Sequence, residues 1–309
     1  MPSLNYRIMA DRSRVLLADA SDRGEALKRL FNEFELQTDG TIALKANYNS
    51  DDPFPATTHP ETLKHLAEHL MKSSRRLIMA ERSGMGDTAR VLKNRGVLDL
   101  SRKLGFTLHN LDSLDLDGWK DVQAEGLHWR RGFKIARAFI DADEVVQTCC
   151  LKTHRFGGHF TMSLKNSVGL IASRPRGTSY DYMHELHSSP FQRLMIAEIN
   201  KFYRTKMVLM DAGEGFSQGG PEQGTLIRPG LLLAASDRVA LDAVGVALLR
   251  IHGTTPEVTK GRIFEQQQIS RAASLGVGVD SAEKIEIVPL DEQSQTRADS
   301  IRRTLANQG

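Results

Sequence analysis

From Glu144 to Gly169 the chain reads EVVQTCCLKTHRFGGHFTMSLKNSVG. Glu144–Leu151 is a short apolar run rich in β-branched residues, the length of a buried strand. Lys152-Thr153-His154 ends the run, Gly157-Gly158 supplies a turn, and an apolar helix is expected to follow, carrying Lys165 and Asn166. A strand covered on both faces is apolar almost throughout, whereas one with a wet face alternates, so this run points to a parallel sheet between helical layers.

The same signal recurs outward in both directions. Arg14–Ala18, Thr41–Ala46, Arg76–Ala80, Phe106–Asn110, Lys206–Met210, Gly230–Ala235 and Lys284–Pro289 are further predicted strands. Helical periods lie between them. Pro60–Met71 sets Leu63, Leu66, Ala67 and Leu70 on one face, Arg238–Arg250 follows a capping Asp237 and closes at Gly253, and Phe264–Leu275 ends at Gly276. Strands alternating with helices predict an α/β fold, a mainly parallel sheet with helices on both faces, built as a single domain over residues 1–309. Two stretches fit neither period. Leu111–Arg131, with Trp119 and Trp129, reads as a seam, and Ala172–Ser189 as an irregular loop placed to form a flap over the site.

Composition narrows the function classes. Lys and Arg number 41 against 38 Asp and Glu, and the resulting net charge of +3 is too small for general capture of nucleic acid. No window reaches the roughly 18 apolar residues of a membrane helix. The opening MPSLNYRIMADRSRVLL lacks the apolar core of a signal peptide, so a cytoplasmic protein is expected. The only two cysteines, Cys149 and Cys150, are adjacent inside the apolar run. They are expected to be small buried hydrophobes, and no four-cysteine spacing for an iron–sulfur cluster exists.

Parallel α/β sheets bind ligands beyond the carboxyl ends of their strands. Those ends carry Lys45-Ala46-Asn47, the residues Glu81 to Thr88, Lys152-Thr153-His154, and Asp211-Ala212-Gly213-Glu214-Gly215 followed by a flexible Gly219-Gly220-Pro221. His154 is the candidate acid–base group, with Lys152 and Lys165 stabilising charge. Lys45, Asn47 and Asn166 are expected to bind and orient a ligand, and Gly157 and Gly158 to let the backbone and a helix N-terminus approach an anion. Arg174 and Arg176 form a candidate clamp for a carboxylate or phosphate. Asp211 is expected to orient His154 or meet a metal, and Asp242, inside an apolar helix, to pair with Lys45 or Lys152. His184 and His187, three apart, are candidate ligands for a divalent metal, with His154 or His159 as a third.

Lys45-Ala46-Asn47, Lys152-Thr153-His154, Lys165-Asn166-Ser167-Val168-Gly169, Gly219-Gly220-Pro221 with Gly224, and Asp237-Arg238-Val239-Ala240-Leu241-Asp242-Ala243 resemble, in order, the motifs of the domain of unknown function 362 family. The resemblance runs from about Lys45 to about Gly253. Where the family shows Lys-Pro-Asn this chain has Lys45-Ala46-Asn47, and the ferredoxin-like cysteine segment of many members is missing. Over some twenty residues, His154, Gly157-Gly158, Lys165 and Gly169 are also similar to a segment of the nickel-pincer lactate racemases. That similarity implies a proton- or hydride-exchanging His154 and a cofactor-holding Lys165, although the upstream histidine motif is lacking.

The residues together point to an enzyme acting on a small anionic substrate, a carboxylate or phosphate, by isomerase- or lyase-like proton transfer. A non-catalytic protein binding an anion, metal or cofactor in the same crevice is the alternative. A redox accessory protein without its own iron–sulfur cluster is a third.

Overall fold

The computed structural model describes residues 12–155 and 159–309. Its strands are β1 (Ser13–Asp19), β2 (Thr38–Lys45), β3 (Ser74–Glu81), β4 (Thr107–Asn110), β5 (Trp119–Val122), β6 (Phe133–Ala136), β7 (Glu144–Lys152), β8 (Met207–Gly219), β9 (Gly224–Ile227), β10 (Leu231–Ala235) and β11 (Ile285–Pro289). Nine of them form one sheet in the order β11-β1-β10-β8-β7-β2-β3-β4, with β9 paired to β8; β5 and β6 form a separate hairpin. The run β8-β7-β2-β3-β4 is parallel throughout, as is the β1/β11 pair, while β10 and β9 run against their neighbours. The α/β class with a mostly parallel sheet thus holds.

Alternation along each strand distributes the core to two faces. In β10, Leu231, Leu233 and Ala235 pack with the helices Arg238–Ile251 and Glu292–Gln308, while Leu232 and Ala234 pack with Arg23–Phe31 and Pro60–Ser73. Cys149 and Cys150 are free and buried. Among the described residues, no helix is long and apolar enough to cross a membrane.

Four local expectations need correction. The Asp211–Gly219 segment continues β8 as a strand, because β9 and the end of β7 take up its backbone groups after a register shift between Cys150 and Leu151. Gly215 permits this, since a Cβ there would sit 2.5 Å from the Leu151 carbonyl oxygen. The Leu111–Arg131 seam contains β5 and leads into β6. Trp129 is buried there and donates from Nε1 to Met195 O at 3.1 Å. The 172–189 stretch ends in a helix, Tyr182–Ser188, capped by Asp181, which accepts from His184 N. So short a helix displays no helical period in sequence. The expected Phe264–Leu275 helix divides into a 3₁₀ turn, Ile263–Glu265, and an α-helix, Gln267–Ser274, which still closes at Gly276 with φ +71°.

Asp242 also finds a different partner. The helix Arg238–Ile251 is buried from Arg238 to Leu249, so its one interior carboxylate needs donors. They come from the first turn of Ser163–Asn166: Ser163 N at 2.8 Å, Leu164 N at 3.0 Å and the Ser163 hydroxyl at 2.5 Å. Burial pushes the Asp242 carboxyl up to about 6, so it is mainly ionised at neutral pH and accepts from all three. The amides expected to receive an anion at this helix start are therefore already occupied by a carboxylate. Asp242→Ala leaves two buried N–H groups without acceptors, a loss on the order of 2–4 kcal/mol. Urea unfolding should show it, with Asp242→Asn less affected because it retains one acceptor oxygen.

Candidate functional site

The carboxyl ends of β2, β3 and β7 open on a cavity of about 850 Å³. Lys45, Glu81 and Lys152 end those strands and line the cavity together with Arg82, His154, Lys165 and Asn166. Lysines 45, 152 and 165 and arginines 82 and 155 outnumber the lining carboxylates, Glu81 and Asp112.

Lys45 is not available to a ligand as an independent charge. Its Nζ lies 2.7 Å from Glu81 Oε1 and also donates to the carbonyl of Ala46 and, at 3.2 Å, to Asn166 Oδ1. Burial lowers the lysine pKa and raises that of Glu81, and the mutual attraction opposes both shifts. Among the described residues, Glu81 Oε2 is buried without a hydrogen bond. Gly169 makes room for the pair, because a Cβ there would lie 2.6 Å from Lys45 Cε.

Asn47 donates to Ala56 O at 3.2 Å and to Cys150 Sγ at 3.5 Å, and Asn166 donates to Thr148 O at 3.0 Å. Both amides are thus set by the protein's own groups. Lys152 Nζ donates to the same Ala56 carbonyl. Arg82 is buried and donates from Nε to Ile171 O and from Nη2 to Val168 O, each at 3.0 Å. It thereby grips the far end of the segment on which Lys165 stands.

Lys165 is only 9% exposed, yet among the described residues its ammonium has no hydrogen bond or ion pair. Burial, then repulsion from Lys152 and Arg82, brings its pKa down to about 8. The apolar helix expected to carry it is one α-turn, Ser163–Asn166, running into a 3₁₀ turn, Ser167–Leu170. His154 lines the same cavity, and its backbone N–H donates to His159 O at 3.3 Å.

Other sequence candidates lie apart. Asp211 is an inner residue of the lengthened β8 and faces the opposite side of the sheet from Lys45. There it accepts from Thr62 Oγ1 at 2.7 Å and Arg23 Nε at 3.2 Å. Arg174 and Arg176 pair with Asp181 and Asp115 at the surface, and neither lines the cavity. His187 does line it, with Nδ1 2.7 Å from Met183 O, while His184 on the same helix does not. Among the described residues, no group of three or more His, Cys, Asp or Glu side chains is placed to hold a metal. Gly157 and Gly158 lie outside the described residues. Strand-end position in the sequence reaches Glu81 and Arg82 but assigns them no role. The signal was two opposite charges directly after an apolar strand.

The chain matches the family described as "Domain of unknown function (DUF362)" over residues 42–247. Among solved structures it is similar to the lactate racemase apoprotein from Thermoanaerobacterium thermosaccharolyticum, at 12% identity and a TM-score of 0.44. That likeness covers 75% of this chain and 56% of the racemase, so it spans little more than half of the latter's length. No curated protein matches the chain.

The Lys45–Glu81 pair predicts a specific mutational cycle. Lys45→Met leaves a buried carboxylate alone and should cost about 3–5 kcal/mol in chemical unfolding. Adding Glu81→Leu to Lys45→Met should recover most of that loss, since two apolar groups need no counter-charge. An additive double variant would mean that the two side chains do not interact.

Proposed function

The chain belongs to the domain of unknown function 362 family, and from that premise we propose that its cleft binds a small carboxylate or phosphate and moves a proton on it. One observation carries this reading. Lys152 and Lys165 bring two buried ammonium groups to one cavity, and among the described residues neither has an ion-pair partner. A buried charge is costly unless it is paired, and a bound anion supplies the missing partner.

Lys165 is the charge the anion meets, with Lys152 behind it. Arg82 adds positive potential from a fixed position, its donors already given to backbone carbonyls. Asn47 and Asn166 hold the walls of the cleft through the contacts described above. His154 is the proton-transfer group, because an imidazole exchanges protons near neutral pH while the lysines stabilise negative charge that develops on the substrate. Ser173, Met183 and His187 of the 172–189 segment line the same cavity, and on that support we assign the segment the role of a cover that closes on the bound anion.

Calorimetric titration with phosphate and with malonate tests the cleft. Lys165→Met retains the aliphatic stem but removes the charge-assisted hydrogen bond, worth roughly 1.5–3 kcal/mol, so affinity should fall roughly ten- to hundredfold with the fold intact. In the parent protein, affinity should weaken as pH rises through about 8, where Lys165 loses its proton. The complex should titrate higher than the free protein, because the anion favours the charged lysine. Equal binding by Lys165→Met and the parent would remove this reading. For the cover, limited proteolysis should cut first within residues 172–189 and be slowed by phosphate or malonate; unchanged cleavage would argue against closure.

A further inference from the structure

Among the described residues, Lys165 differs from the other buried lysines and from Arg82 of the cavity in having no acceptor. Lys45 is paired with Glu81, Lys152 with a backbone carbonyl, and Arg82 with three. The neighbouring cations are held in place by these bonds, so they cannot swing away to relieve repulsion. Arg82 bonds to Val168 and Ile171, a few residues beyond Lys165, and is therefore fixed relative to it. At the other end, Asp242 pins Ser163 and Leu164. The amine thus stands on a segment tied at both ends, facing a cavity, beside like charges. This is an arrangement in which a lysine gives up its proton readily and becomes a nucleophile.

We propose that Lys165 forms an imine with a small carbonyl compound that carries a carboxylate or phosphate. The proposal rests on the anion-binding reading and names the substrate class for it. The neutral amine donates its lone pair to the carbonyl carbon as the C=O π bond opens, and a proton passes from nitrogen to oxygen to give a carbinolamine. The C–O bond then breaks and the oxygen leaves as water, so that amine and carbonyl give imine and water with no oxidant or reductant consumed. Lys152 and the potential of Arg82 hold the substrate's anionic group. His154 and His187, which line the same cavity, are the groups positioned to pass the proton. A lysine pKa of about 8 leaves a sizeable neutral fraction near neutral pH to perform the attack.

Pyruvate and dihydroxyacetone phosphate, each with borohydride, test the two anionic classes on the full chain. Reduction should leave an adduct whose mass is that of the compound less one oxygen atom, and peptide mapping should place it on Lys165. Lys165→Arg should give no adduct. In parallel, oxamate and glycerol 3-phosphate, which present the anion without a reactive ketone, should raise the melting temperature of the parent protein. Adduct on Lys165 with either carbonyl compound supports the proposal. Stabilisation by oxamate or glycerol 3-phosphate without adduct, or adduct spread over other lysines, overturns the imine and leaves the anion cleft standing. Neither stabilisation nor adduct from any of the four overturns both.

Discussion

Three neighbouring parallel strands end on charged side chains that lie inside the protein, and the surrounding structure answers that constraint. Lys45 closes β2, Glu81 closes β3 and Lys152 closes β7, all of them buried. Removing an ion from water costs several kcal/mol even after the protein relaxes. Lys45 and Glu81 offset this by neutralising one another. Lys152 is met by Ala56 O, and the same carbonyl accepts from Asn47, so the segment after β2 folds back to supply an acceptor to two cavity residues. Among the described residues, the cavity lysine left without such an acceptor is Lys165, and the binding chemistry proposed for the cleft arises from that residual imbalance.

The segment carrying this charge is held by elements far apart in sequence. Asp242 fixes its beginning and Arg82 its end, while β6 and its neighbours bond to Ile171 and Ala172 just beyond, through the Ile135–Ile171 bridge and the hydrogen bond from Ala172 N to Lys134 O. The β5/β6 hairpin, with Trp129 and Phe133 in the core beside it, therefore acts as a buttress. Hydrogen bonds of this kind restrain a short, weakly helical turn that so few residues could not hold by propensity alone.

Much of the sheet was legible because buried parallel strands announce themselves as apolar runs, and the Lys45, Lys152, Lys165 and Asn166 cluster came from asking what stands at and beyond their carboxyl ends. The caps at Asp237 and Gly276 were legible for the same local reason, since each acts on groups within a few residues of itself. The illegible parts depended on partners remote in sequence. Residues 211–219 look like a loop until β9 is paired beside them. Asp211 reads as a cleft residue until strand alternation turns it toward Thr62 and Arg23. Asp242 has no visible partner until a turn some eighty residues earlier packs against its helix. Side-chain type suggested pairing in each case, and only the tertiary arrangement named the partner.

The absence of a side chain at Gly169 has a consequence for how this cleft can change over evolutionary time. Its Cα lies so close to Lys45 that any Cβ would contact the lysine stem, and the lysine is in turn bound to Glu81. A larger residue at 169 is tolerated only if position 45 shortens, and a shortened, uncharged position 45 strands the carboxylate at 81. Positions 45, 81 and 169 should therefore drift as a linked set across relatives. A lineage that alters one of them without the others has abandoned this cleft.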